Sequence, residues 1–362
     1  MAERLLNQEP EQEVPETISP KVRRFFEYYG GGNNHSIDVT SEEKDKYDLR
    51  VIGPFNESDI IIDSEKRKWD SKAEQRAGDF ITEYVADFVR KRNIELTQKG
   101  ERLIENNSKL QVKDIKLNGP KCDMVVEKGV ITYGSLRALG TDEEMEKAYR
   151  VYESNAPKDH INKERFYELF KPLPLSACIL VITADNELLL TKRLPKKVGA
   201  FGGVWHVPGG FVEESDINDD GHISPFTAAV RELEEETGVT KKDLAQILCL
   251  GASSLPGPRN IEFLFVALSR LKSDDIVDEQ AATLEEKYKL MPKEIEGDLR
   301  PHKLIELDSG RMSKVLPALL KIDEIFGSQR KHMPVGPKLS LAASQSLFFL
   351  TQRMFESLPE QD

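Results

Sequence analysis

Glu232, Glu235 and Glu236 stand at i, i+3 and i+4 in the segment RELEEETGV, Arg231 to Val239. On a helix, at about 100° per residue, they crowd one face. Like charges that close destabilise a bare helix, and a hard divalent cation with oxygen ligands relieves the repulsion. Mg2+ is the simplest occupant, with Mn2+ as the other candidate. The competing reading is a solvated acidic face in a chain that is 31% charged. Arg231, one turn before Glu235, can pair with it and keep the carboxylates from repelling one another.

The flanking residues specify the helix that would carry this cluster. Ser224-Pro225 reads as an N-cap followed by proline at the first helical position, and Gly238 is placed to end the helix as a left-handed cap. Phe226, Ala229, Val230 and Leu233 fall on the other side at helical spacing, so the helix can pack on a core while its acids face a cleft. Upstream, the run from Trp205 to Glu214 (WHVPGGFVEE) reads as a strand entering a glycine turn. Gly209 and Gly210 let the backbone approach a ligand or aim a carbonyl at a metal.

The Pro-Gly-Gly turn followed by Arg231, Glu232, Leu233, Glu235, Glu236, Gly238 and Val239 resembles the Nudix box of the Nudix hydrolases, which cut nucleoside diphosphates linked to another group. The resemblance implies an α/β fold, a Nudix-type α/β/α sandwich with a mixed sheet, to which this chain adds an N-terminal α+β extension. It also implies that Glu232, Glu235 and Glu236, with the Gly210 carbonyl, hold the metal, and that Arg231 orients the glutamates. One departure is visible. The stretch from Gly210 to Arg231 carries seven more residues than the family's pattern, and Ile223 falls where its first glutamate belongs. Glu213, Glu214 and Asp216 are the acids near enough to stand in.

The extra residues have a chemistry of their own. Asp216, Asn218 and Asp220, with Gly221 and Ile223, reproduce the opening of a calcium-binding EF-hand loop. Thr227 stands where that loop needs its bidentate glutamate. A Ca2+ site and a solvated acidic turn are both open at this point.

Splitting a diphosphate requires neutralised phosphate oxygens and an activated water. Glu232 within the box and Glu262 on a downstream strand are candidate general bases, as are Asp274, Asp275, Asp278, Glu279, Glu285 and Glu286 in an acidic loop. Arg193 is a candidate bidentate donor to a substrate phosphate, with an ordinary surface ion pair as the alternative. Trp205 is a candidate to stack on a base, or else packs beneath the turn. The partner implied is a nucleoside diphosphate derivative.

Composition bounds the remainder. With 63 acidic against 51 basic residues in 362, general attraction to nucleic acid or to an anionic membrane is not expected, so local cations must draw a phosphate substrate. No apolar run is long enough for a membrane span and no secretory leader is visible at Met1. Cys122, Cys178 and Cys249 read as reduced core residues, and the expected location is cytoplasmic.

Patterning divides the chain into a disordered leader (1–20), an N-terminal α+β region (21–171), the Nudix-like domain (172–329) and a C-terminal helical extension (330–362). Tyr28 to Asn34 reads as a flexible turn. Expected elements are strands at 49–53, 59–63, 110–117, 130–133, 177–183, 187–193, 247–251 and 261–268. Expected helices span 66–93, 142–153, 311–326 and 339–355. The order of these parts is similar to the uridine-diphosphate-glucose pyrophosphatase branch of the family, which implies a UDP-sugar substrate; ADP-ribose carries the same diphosphate. A nucleotide-sensing module that binds without cutting, with a calcium-responsive loop, is the alternative reading.

Overall fold

The chain was studied as a computed structural model that describes residues 15–30, 37–99, 103–104, 106–118, 121–156, 160–189, 191–192, 205–218, 220–254, 260–276 and 337–359. In chain order the elements are α1 (Pro20–Gly30), α2 (Ser41–Lys46), β1 (Leu49–Phe55), β2 (Ile60–Lys66), α3 (Lys72–Lys99), β3 (Ser108–Asn118) and β4 (Lys121–Thr132). Three helices follow, α4 (Tyr133–Leu139), α5 (Asp142–Asn155) and α6 (Lys163–Phe170). Then come β5 (Leu175–Ile182), β6 (Leu188–Leu189), β7 (Thr191–Lys192), β8 (Trp205–His206), β9 (Gly209–Phe211), α7 (Pro225–Thr237), β10 (Leu244–Ser254), β11 (Ile261–Ser269) and α8 (Pro337–Glu356).

Every residue of β5 is buried, as a near-continuous apolar run must be when both faces of a strand are covered. It pairs in parallel with β11 (Leu175 opposite Ile261 through Ile182 opposite Leu268) and antiparallel with β9 and β6. β11 continues antiparallel to β10, and β10 to β1, giving the order β1-β10-β11-β5-β6 with β9 also on β5. Alternation sorts the side chains of this mixed sheet. Cys178, Leu180, Ile182, Leu264, Val266 and Leu268 meet α1 and α8 on one face. Ala177, Ile179, Val181, Phe263, Phe265 and Ala267 meet α7 and the apolar side of a second sheet, β2-β4-β3, on the other. Helices α3 to α6 form a separate aromatic cluster around Phe166. The architecture is the expected α/β sandwich with added N-terminal elements.

The sheet draws on both sides of the 171/172 division. β1 is its edge strand, and α1 supplies Phe25 and Phe26 to its core, with Phe25 stacked on Phe355 of α8 at 4.1 Å. Of the expected leader, residues 1–14 lie outside the described residues. Residues 15–19 are held on the body: the Thr17 hydroxyl donates to the Ala184 carbonyl (2.7 Å) and the Ser19 amide to Asn186 Oδ1 (2.8 Å). Lys66 ends a strand rather than opening a helix, and α3 begins at Lys72. The helix expected at 311–326 lies outside the described residues. All three cysteines are buried and free, and among the described residues no helix is long and apolar enough to cross a membrane.

Candidate metal and hydrolytic site

Helix α7 has the predicted ends. Ser224 Oγ accepts from the Thr227 amide (3.2 Å), Pro225 opens the helix, and Gly238 closes it at φ 78°, with its amide bonded to the Glu234 carbonyl (2.9 Å). Phe226, Ala228, Ala229 and Leu233 are buried against β5 and β11, with the Phe226 and Phe265 rings 4.7 Å apart. That packing turns Arg231 and Glu232 toward β9. β9 lies against the start of β5, Gly210 opposite Ala177 and Gly209 opposite Cys178.

Both glycines are required by close approach. A Cβ on Gly209 would lie 2.6 Å from the Ala177 carbonyl oxygen, and one on Gly210 would lie 2.3 Å from the Glu232 carboxylate. The Glu232 side chain therefore occupies the space beside the turn that a side chain at 210 would fill.

Arg231 organises the acids. Its guanidinium forms a fork on Asp216, Nε to Oδ1 at 2.8 Å and Nη2 to Oδ2 at 3.1 Å. Nη2 also donates to the Phe211 carbonyl (2.9 Å), and Nη1 to Glu232 Oε1 (2.8 Å) and, more weakly, Glu235 Oε1 (3.4 Å). Of the three acids considered as stand-ins, Asp216 pairs with the arginine. It is 2% exposed and also accepts the Glu213 amide (2.8 Å). Burial works against the arginine's charge, but Asp216 and Glu232 outweigh it and hold its pKa above the ordinary value. Glu232 moves up as well: burial dominates, the charges of Glu235 and Asp216 add to it, and Arg231 offsets only part.

The three glutamates share a face of α7 without closing on one point. Among the described residues no three His, Cys, Asp or Glu side chains form a metal-holding group. Glu232 and Glu235 share Arg231 Nη1, at 2.8 and 3.4 Å, but Glu232 is drawn inward while the Glu235 side chain is 57% exposed. The donor set nevertheless fits a hard cation by chemistry. Its members offer only oxygen, and Glu232 is a largely buried carboxylate, 16% exposed, whose charge Arg231 only partly offsets.

The calcium-loop reading finds no support in the fold. Asp216, at loop position 1, is turned into the protein and committed to Arg231; Asn218 Oδ1, at position 3, accepts the Asp220 and His222 amides at 3.1 and 2.9 Å. The segment is a turn closed by an isolated bridge between Ile217 and Ile223, and the exposed Asp220 has no converging partners from positions 1 and 3.

Glu262 is placed apart from Glu232. It neighbours Ser176 across the β11–β5 pair and contacts Cys178, on the sheet face opposite α7. Burial first, then Glu262, push the Cys178 thiol well up. Asp274 and Asp275 are exposed, and Asp275 accepts the Lys272 amide at 3.2 Å. Arg193, Asp278, Glu279, Glu285, Glu286 and the Trp205 side chain lie outside the described residues.

Two contributors carried no sequence signal. The Phe211 carbonyl is a backbone group, and Lys109 reaches the turn from β3, about a hundred residues upstream, where its Nζ donates to Glu213 Oε1 at 2.9 Å.

Residues 172–305 match the family model described as the NUDIX domain. The chain is similar to the NUDIX domain of Shewanella oneidensis NrtR in complex with ADP ribose, at 18% identity, covering 39% of this chain and 97% of that one, TM-score 0.22. It is similar to a MutT/nudix family protein from Enterococcus faecalis (21% identity, 34% and 43% covered, TM-score 0.20). A third likeness is to a bifunctional NMN adenylyltransferase/ADP ribose pyrophosphatase from Francisella tularensis in complex with AMP and manganese (23% identity, 38% and 34% covered, TM-score 0.22). The chain spans less than half the length of the last two. No curated protein matches the chain. Residues 172–305 of this chain match the NUDIX domain, and the capped helix, the glycine turn and the arginine between them lie within that match.

Proposed function

We propose that the chain is a pyrophosphohydrolase that cuts the diphosphate bridge of a nucleoside diphosphate linked to another group, a UDP-sugar or ADP-ribose, releasing a nucleoside monophosphate and a phosphorylated product. The observation that carries this reading is the Glu232 carboxylate pressed against Gly210 and held by Arg231 inside a NUDIX domain.

Glu232, Glu235, Glu236 and the Gly210 carbonyl are the groups that would hold Mg2+ or Mn2+. Such a cation supplies charge neutralisation of phosphate oxygens and a more acidic bound water. Glu232, beside the glycine turn and bonded to Arg231, takes the proton of the attacking water. The new P–O bond forms as the bridging P–O bond breaks, and the bridging oxygen leaves with the second phosphate. Arg231 acts through position. It fixes Asp216, Phe211 and Glu232 in one arrangement and keeps the turn facing the helix.

The test is a panel of nucleoside diphosphate derivatives, with products identified, in Mg2+ and in Mn2+. Turnover that falls roughly 10²-fold or more in Glu232→Gln and in Glu235→Gln is expected. Tight nucleotide binding with no turnover by the parent protein would replace hydrolysis by the sensing role.

A further inference from the structure

The N-terminal sheet reaches the glycine turn at its exit. Lys109, on β3 opposite Ile131 of β4, is 8% exposed, yet its ammonium lies 2.9 Å from Glu213 Oε1 and 5.3 Å above the Phe211 ring. A lysine is buried only when its charge is met, and here both partners belong to the segment that follows Gly210. The Tyr133 ring meets Phe211 edge-on at 6.3 Å, and Lys128 of β4 pairs with the next residue, Glu214, at 3.5 Å. Glu57, which follows β1, accepts a hydrogen bond from the cap hydroxyl of Ser224, where the inserted turn re-enters α7. Both ends of the long box loop are thus tied to residues outside the NUDIX domain.

β3 is itself fastened to the domain. The Val112 amide donates to the Leu173 carbonyl (2.8 Å), and the Gln111 side chain exchanges hydrogen bonds with the Lys171 carbonyl (3.2 Å) and the Leu173 amide (2.8 Å). Lys109 is two residues from that seam, so its reach to Glu213 is measured from a fixed base.

We propose that Lys109 is a positioning residue for the NUDIX site: its bond to Glu213 and its seat on Phe211 fix the path of the turn, and through it the Phe211 carbonyl and the Asp216 carboxylate that hold Arg231. The proposal rests on the hydrolytic reading for its catalytic consequence alone. The longer box loop of this chain gives such a tie more to restrain, because the extra residues between Asp216 and α7 add freedom that the shorter pattern lacks.

The test compares the full-length protein with Lys109→Met, Lys109→Arg, Glu213→Gln and the Met/Gln double variant. Lys113→Met serves as a control, since Lys113 pairs with Glu65 on the exposed side of the same strand. Without added metal, amide exchange of Glu213 and Asp216, which are bonded to each other's residues, should quicken roughly tenfold or more in Lys109→Met and in Glu213→Gln. The amides of β5 and β11 should stay protected, showing that the fold holds. Mn2+ affinity and kcat should fall roughly 10–100-fold with KM unchanged. Lys109→Arg should recover most of each loss, and the double variant should lose no more than the worse single one. Unchanged Glu213 and Asp216 exchange in Lys109→Met, equal effects in Lys113→Met, or no recovery in Lys109→Arg would overturn the proposal. If the parent protein turns over nothing in the panel, hydrolysis fails, while the exchange measurement still decides the role of Lys109.

Discussion

Arg231 has more polar partners than any other side chain in the site, and its loss is the sharpest test of what holds the site together. Its fork neutralises Asp216, which is 2% exposed and pairs with no second cation among the described residues. Removing one member of such a pair leaves a buried charge, so Arg231→Ala should destabilise the protein by about 3 kcal/mol, read as a lower urea midpoint at unchanged slope. A loss under about 1 kcal/mol would mean that Asp216 is satisfied by other groups. The arginine and the glutamates were legible from their spacing alone, because periodicity fixes which residues share a helix face. Their convergence was not. Whether carboxylates on one face meet depends on rotamers, and the rotamer of Glu232 is set by Arg231 and by the space left at Gly210, neither of which a spacing rule contains. The stand-in for the missing glutamate was equally hidden: among 213, 214 and 216, only a folded loop shows that Asp216 points inward.

Two elements outside the chemistry govern how firmly the site is presented. The first is α7, whose cap at Ser224 is shared with Glu57 and whose Gly238 sits at a left-handed φ of 78°. Ser224→Ala and Gly238→Ala should each cost about 1 kcal/mol in thermal or urea unfolding; a neutral result for either would mean that the helix end is held by packing alone. The second is the turn at 183–187, which ties the N-terminal segment to the sheet through Asn186 and Thr17 and is braced by Asp185. Burial pushes the Asp185 carboxyl up, but hydrogen bonds from the Ser273 hydroxyl and amide and the Thr183 hydroxyl outweigh it, and its pKa lies below the ordinary 3.8. A depressed folded pKa adds stability above the ordinary value that is lost as pH falls through the folded one. Asp185→Asn should therefore flatten the decline in stability below about pH 4 and leave the slope above it unchanged, which urea midpoints across pH 2–6 would register. Local signals made α7, β5 and β11 readable, since caps, helical period and an unbroken apolar run sit within a few residues. The first half of β4 was missed because Lys121, Asp123, Glu127 and Lys128 weaken its apolar signal, and its inward Cys122, Met124 and Val126 are explained only by the core they enter. β1 was readable as a strand. Its partner was not, because β10 lies some two hundred residues away.

At the scale of the molecule, the residues that match the NUDIX model do not account for their own burial. The 172–305 segment contains β5, β10 and β11, but the face bearing Cys178, Leu180, Leu264, Val266 and Leu268 is covered by α1 and α8, which lie outside it on either side. Phe25, Phe26, Leu350 and Phe355 are each nearly or fully buried there. β10 takes its outer hydrogen bonds from β1, so without the N-terminal region an eleven-residue strand becomes a bare edge. The opposite face loses Leu110, Val112, Cys122, Met124 and Val126 of the second sheet, and the glycine turn loses Lys109. Each large apolar side chain uncovered in this way forfeits about 1.5–3 kcal/mol of burial, so a few of them consume the whole margin of about 5–15 kcal/mol by which a domain is stable. A protein consisting of residues 172–305 alone should therefore lack a cooperative thermal transition, bind a hydrophobic dye at its exposed sheet face and associate at micromolar concentration, whereas the full chain should unfold sharply. A sharp calorimetric transition in the isolated segment, with a denaturant slope appropriate to its size, would show that α1, β1 and α8 decorate a self-sufficient domain rather than complete it.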